Sequence, residues 1–169
     1  EPGPPRIDAI EMARIVDRGI RESKFIDFKK LCIKEGEKVW SIFIDMYSLN
    51  DDGNLLDAFA LGVLVALKHA KIPKYNEETE KAVYGEWTDK KIPLTKQIPL
   101  TITVHKIGNS FFVDPTTEEE ESSEARITFS ISDGGAINAM QKGNDSSINI
   151  RDFYKIVDFA EKKWRDLYP

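Results

Sequence analysis

With 169 residues, 41% of them hydrophobic, and a net charge of −5, the chain can form one substantial domain or two small ones, and its overall charge argues against indiscriminate nucleic-acid binding. The single cysteine excludes an intramolecular disulfide, and the longest uncharged apolar run, 58–67, falls well short of the roughly 20 residues that span a bilayer. No secretory leader is visible and a cytoplasmic location is expected, although the chain opens "EPGPP" without methionine, as though cut from something longer.

Charge is unevenly spread. Residues 5–38 hold nine Lys or Arg against seven Asp or Glu, leaving 15 against 22 elsewhere. That basic segment begins with "PPRIDAIEMARIVDRGIRES", read as a helix with Asp8 as N-cap and Glu11 completing a capping box. At about 100° per residue, Ala9, Met12, Ala13, Ile15, Val16 and Ile20 share an apolar side, while Arg14, Arg18 and Arg21 converge on a narrow polar one. "KKLCIKEGEKVWSIFIDMYSLNDDGN" then predicts a β-hairpin: a short strand, a Glu-Gly turn and a long alternating strand from about Lys38 to Leu49. Cys32 falls in the short strand and reads as a small buried hydrophobe.

"NLLDAFALGVLVALKHAKIP" predicts a second helix, capped by Asn54, with Asp57 in its first turn. It is apolar nearly all round, which implies burial between layers. Periodicity is lost over 74–97, where a charged connecting loop or loose hairpin is expected to separate subdomains at 1–73 and 98–169. Two hairpins follow, around Gly108-Asn109 and around Asp133-Gly134. A last helix over 150–167 repeats Ile150, Phe153, Val157, Ala160, Trp164 and Leu167 as a one-sided seam fit to cover a sheet. The layout is α+β, with antiparallel sheets packed against helices.

Residues for chemistry are few. His69 and His105 are far apart and the only cysteine has apolar surroundings, so no zinc site is expected; "NDDGN" is too short for a calcium loop. No phosphate-binding Gly-Lys-Ser loop or nucleophile elbow is present, and no cofactor is implied. The run Glu118–Glu121 reads as a solvated loop, because four adjacent carboxylates repel one another. The arginine face has two readings: a solvated surface paired with Asp17 and Glu22, or a row of guanidinium forks able to grip successive phosphates of a single strand.

The ordered motifs "EPGPP", "AIEMARIVDRGIRESK", "GEKVW", "DDGNLLDAFALGVLVAL" and "FVDPTTEEE" closely resemble the non-catalytic ribonuclease PH-like subunits of the archaeal exosome core, over the whole chain. The resemblance implies two ribonuclease PH-like subdomains, with the first represented here by its C-terminal part. It implies a ring in which three such subunits alternate with three catalytic ribonuclease PH-like paralogues, beneath a cap of RNA-binding subunits. The assembly degrades single-stranded RNA from the 3′ end with inorganic phosphate, and tails RNA in reverse.

The same resemblance implies catalytic silence. Catalytic members hold phosphate with Gly-Gly and a Ser or Thr and an Arg where this chain has Asn54, Leu55 and Leu56. Their two aspartates, six residues apart, fall here on Glu120 and Arg126. It assigns RNA backbone contacts to the positions of Arg14 and Arg18, with Arg21 one turn on as a possible assistant. The rival expectation is an active phosphorolytic exoribonuclease using Glu120 with Asp114 or Glu124. One departure is that the family's N-terminal strands are absent, which would leave the hairpin at 31–49 with an unpaired edge.

Overall fold

A computed structural model describes residues 3–168. The first helix, α1 (Ile7–Glu22), starts from Arg6 with no side-chain cap. Asp8 therefore lies inside the first turn, not at the cap, and Glu11 is too far along to close a capping box. Of its predicted apolar side only Ile15, Val16 and Ile20 are buried, joined by Gly19; Met12 is half-buried, and Ala9 and Ala13 are exposed.

The predicted hairpin survives only as β1 (Cys32–Lys34) and β2 (Lys38–Val39). Beyond Val39 the chain keeps the alternation of a strand but has no ladder among the described residues. Trp40, Ile42 and Met46 turn inward onto the first core, while Phe43, Tyr47 and Leu49 are 88%, 82% and 99% exposed. A strand needs a backbone partner, and the three residues of β1 can pair with only the start of this segment. For the same reason Cys32 is exposed, not buried: nothing covers the small ribbon.

Helix α2 (Leu55–His69) buries Leu56, Ala60, Val63, Leu64 and Leu67 but leaves Leu61 and Val65 exposed, so it is covered on one side only. Val16, Ile20, Phe25, Ile26 and Leu31 meet this buried face to form the first core. Residues 71–91, expected as a charged loop or loose hairpin from 74 on, fold as the bulged antiparallel hairpin β3 (Lys71–Asn76) and β4 (Lys81–Lys91). Ion pairs Lys71–Asp89 and Lys74–Glu86 run across it, and Tyr75 packs edge-on to Trp40 at 6.1 Å.

The second half is a four-stranded antiparallel sheet in the order β6 (Ser110–Phe112), β5 (Leu100–Ile107), β7 (Ala125–Ser132), β8 (Ala136–Gly143). Both predicted hairpins are present. Helix α4 (Ile150–Leu167) is capped by Asn149, whose side chain accepts from the Asp152 N–H at 2.8 Å. Ile156, Ala160 and Trp164 of α4 seal Ile102, Val104, Ile127, Phe129 and Ile131 into the second core.

The strand period of two sends the alternate residues Thr103, His105, Thr128, Ser130 and Ser132 to the opposite face. That polar face is also buried. It lies under α1 and α2: Thr103 bonds Asp57 of α2, and a Cβ on Gly19 of α1 would lie 2.8 Å from Ser130 Oγ. The sheet thus sits between α4 on its apolar face and α1 with α2 on its hydroxyl-rich face.

Candidate functional site: an arginine face and a hydrogen-bonded turn cluster

Arg14 and Arg18 are exposed on α1, and among the described residues neither makes an ion pair. Arg21 differs: Asp17, one turn earlier, holds it. On the helix Glu11, Arg14 and Arg18 follow at i, i+3 and i+7, so they share one face. Glu11 is the member of this face that has a tertiary partner. Its carboxylate accepts from Arg126 Nη2 of β7 at 2.9 Å, with the two side chains 31% and 13% exposed. Gly143 on β8 makes room for that arginine, since a Cβ there would lie 2.5 Å from Arg126 Cζ.

The second cluster joins segments distant in sequence. The turn before α2 is closed by Asp51, whose carboxylate accepts from the Gly53 N–H at 2.9 Å. Gly53 has φ +92°, and a Cβ on it would meet the Pro115 carbonyl oxygen at 2.3 Å, so only glycine lets this turn abut residues 115–117. Asn54 consequently donates its backbone N–H to Glu120 (3.1 Å) and its side-chain amide to Asp114 (3.0 Å). Leu56 is buried and Leu55 half-buried.

The glutamate run, expected as a solvated loop, is a one-turn helix, α3 (Thr117–Glu121). It is nucleated by a capping box in which the Thr116 hydroxyl accepts from the Glu119 N–H and the Glu119 carboxylate accepts from the Thr116 N–H. Glu118, Glu119 and Glu121 remain exposed to solvent, as expected, and Glu120 is half-buried. Glu124 lies elsewhere, accepting from Lys106 and from the Gly108 N–H; that N–H, then Lys106, holds its carboxyl below the usual range.

Two buried titratable groups border these clusters. Asp57 accepts from the Thr103 N–H (3.0 Å) and hydroxyl (2.7 Å); burial nevertheless pushes its pKa up to about 6. His105, stacked on Phe112 and opposite Arg126 across the strands, is brought down to about 4 by burial and then by the Arg126 charge. It is therefore neutral near pH 7. Sequence reasoning gave Asp57 no role beyond the helix start and placed Glu11 in a cap. The signal for Glu11 was present in its i, i+3, i+7 relation to the two arginines.

A cavity of about 690 Å³ opens between α2 and α4 along β5, with Asn54, Asp57 and Asp114 at one side and Leu61, Leu64 and Ile102 in its wall. Among the described residues no group of three or more His, Cys, Asp or Glu could hold a metal ion, and no helix is long and apolar enough to cross a membrane.

The model of the 3′ exoribonuclease family's first domain matches residues 1–73, and that of its second domain matches 97–163. The chain is 45% identical over 168 residues to the exosome complex component Rrp42 of Methanosarcina acetivorans, covering 99% of this chain and 60% of that relative. With the exosome complex component Rrp42 of Pyrococcus furiosus the identity is 42% over 170 residues, again 99% of this chain and 60% of the relative. A solved Archaeoglobus fulgidus exosome with RNA bound to the active site contains a chain that superposes with a TM-score of 0.85 at 40% identity, over 99% of this chain and 63% of that one. The chain thus spans about 60% of the length of the curated relatives it matches. Two domain matches in series, on two subdomains whose order and α+β architecture agree with that exosome chain, establish that this chain belongs to the 3′ exoribonuclease (ribonuclease PH) family and is similar to its Rrp42 exosome components.

Proposed function

We propose that the protein is a catalytically silent subunit of an archaeal-type exosome ring, which holds single-stranded RNA through Arg14 and Arg18 for a catalytic ribonuclease PH-like paralogue. Its contribution is assembly and RNA positioning in 3′-to-5′ phosphorolytic degradation and tailing, beneath a cap of RNA-binding subunits.

One contrast carries this reading. Groups at the addresses where catalytic members hold phosphate and their acid are committed within the chain: Asn54 to Glu120 and Asp114, Leu56 to the core, Arg126 to Glu11. Arg14 and Arg18, by contrast, are exposed cations without an ion-pair partner among the described residues. A guanidinium facing water is free to exchange its hydration for phosphate oxygens, and releases counterions from the RNA as it does so. Arg21 is already neutralised by Asp17, so its part is secondary.

Catalysis by this chain alone would need Glu120 with Asp114 or Glu124 as working acids, yet Asn54 holds Glu120 and Asp114, Lys106 and the Gly108 N–H hold Glu124, and the phosphate place is lined by leucine. The test is phosphate-dependent release of nucleoside diphosphates from a 3′-labelled RNA by the full-length protein. No release without the catalytic paralogue, and release with it, is expected; turnover by the protein alone would overturn the proposal.

A further inference from the structure

The pair Arg126–Glu11 has a use that its place in the fold reveals. Helix α1 is fastened unevenly. Its buried residues Ile15, Val16, Gly19 and Ile20 all lie in the second half. There Gly19 lets the helix backbone approach Ser130 closely, and the gap beside Ile15 and Arg18 over β7 and β8 is only about 10 Å³. The first half has no side-chain cap at Arg6, and Ile7 and Ile10 are exposed. Its side-chain ion pair to the rest of the molecule, among the described residues, is Glu11 to Arg126.

Arg14 sits between that contact and the buried half. We propose that Arg126 and Glu11 form a clasp that pins the first half of α1 to the second subdomain and so fixes where Arg14 is presented; both are positioning residues. This rests on the RNA-binding reading of Arg14 and Arg18. The clasp also gives Arg126 a task at an address where, by the resemblance, catalytic members keep a carboxylate. A guanidinium fork on a stiff central strand, held in place by the space at Gly143, defines both the direction and the reach of its partner.

The sign of the charge effect makes the proposal testable. Glu11 is a negative charge beside two RNA-binding cations, so by electrostatics alone Glu11→Gln should strengthen RNA binding. A clasp predicts the reverse, because the loosened helix must be ordered again on binding. The experiment uses the full-length protein assembled with its catalytic paralogue. It measures amide hydrogen exchange over residues 8–14 and single-stranded RNA affinity for Glu11→Gln, Arg126→Lys, Arg14→Ala and the pair Glu11→Gln with Arg14→Ala.

Expected for Glu11→Gln are faster exchange in that segment and RNA affinity weakened by about threefold or more, with no further loss when it is added to Arg14→Ala, because the two act through one group. Arg126→Lys keeps the charge but loses the fork, so exchange in that segment should lie between wild type and Glu11→Gln. Unchanged exchange in Glu11→Gln overturns the clasp, and so does faster exchange with equal or tighter RNA binding while Arg14→Ala weakens it. If instead exchange quickens but Arg14→Ala leaves RNA affinity untouched, the RNA reading itself fails, a result distinct from the other two.

Discussion

Asp57 of α2 packs against the buried polar face that holds His105, and the two groups titrate in opposite senses. Between pH of about 4 and 6 the folded protein keeps a proton on Asp57 that the unfolded chain has lost, so this group makes stability fall as pH rises. His105 refuses, down to about pH 4, a proton that the unfolded chain accepts below its ordinary value of 6.5, so it makes stability fall as pH drops. The two effects largely offset each other in the wild type. Removing either group exposes the other. Urea denaturation at several pH values should show Asp57→Asn losing stability on acidification relative to wild type, by at most ~1.4 kcal/mol per pH unit. His105→Gln should show the opposite slope, and parallel pH profiles for all three proteins would contradict this account.

Among the elements, α1 and α2 each carry an interior glycine, with opposite consequences. Gly62 has nothing within 4 Å of where a Cβ would stand, so Gly62→Ala should stabilise the protein by about 1 kcal/mol through helix propensity alone. Gly19 faces Ser130 Oγ at 2.8 Å and its Cβ at 3.1 Å, on a central strand that cannot retreat. There the propensity gain of ~1 kcal/mol meets an overpacking cost of ~1–3 kcal/mol, and Gly19→Ala should be neutral to destabilising. Thermal unfolding of the two variants side by side decides it, since equal stabilisation would mean that α1 does not press on the sheet. The ends of helix α4 were legible in the sequence, but its seam only in part: Ala160 and Trp164 are buried as expected, whereas Ile150 and Leu167 are exposed and the buried Ile156 lay outside the expected seam, because the sheet covers only the middle of the helix. The 38–49 segment was legible only as a pattern: alternation reports which side chains face inward, whereas a ladder depends on a partner that a local reading does not supply. The helix of the glutamate run was legible locally, in the Thr116-x-x-Glu119 spacing of a capping box, a signal the loop reading missed; the contacts of Glu11 with Arg126 and of Gly53 with residues 115–117, made over long sequence distances, were not legible.

Across the whole molecule, the arginine face was visible as spacing, and Asn54, Leu55, Leu56 and Arg126 as departures from the pattern of the catalytic members. What the sequence could not show was how the two are joined. The hydroxyl-rich side of the second sheet looks solvent-facing in an alternating strand, and it is the buried seat of α1 and α2. Through it, Arg126 of β7 reaches the helix that carries Arg14 and Arg18. The most direct test of the central claim is the salt dependence of single-stranded RNA affinity for Arg14→Ala with Arg18→Ala, in the full-length protein assembled with the proposed catalytic paralogue. Loss of two phosphate contacts predicts weaker binding and a log–log salt slope shallower by about 1.4. The same affinity and the same slope as wild type would contradict it.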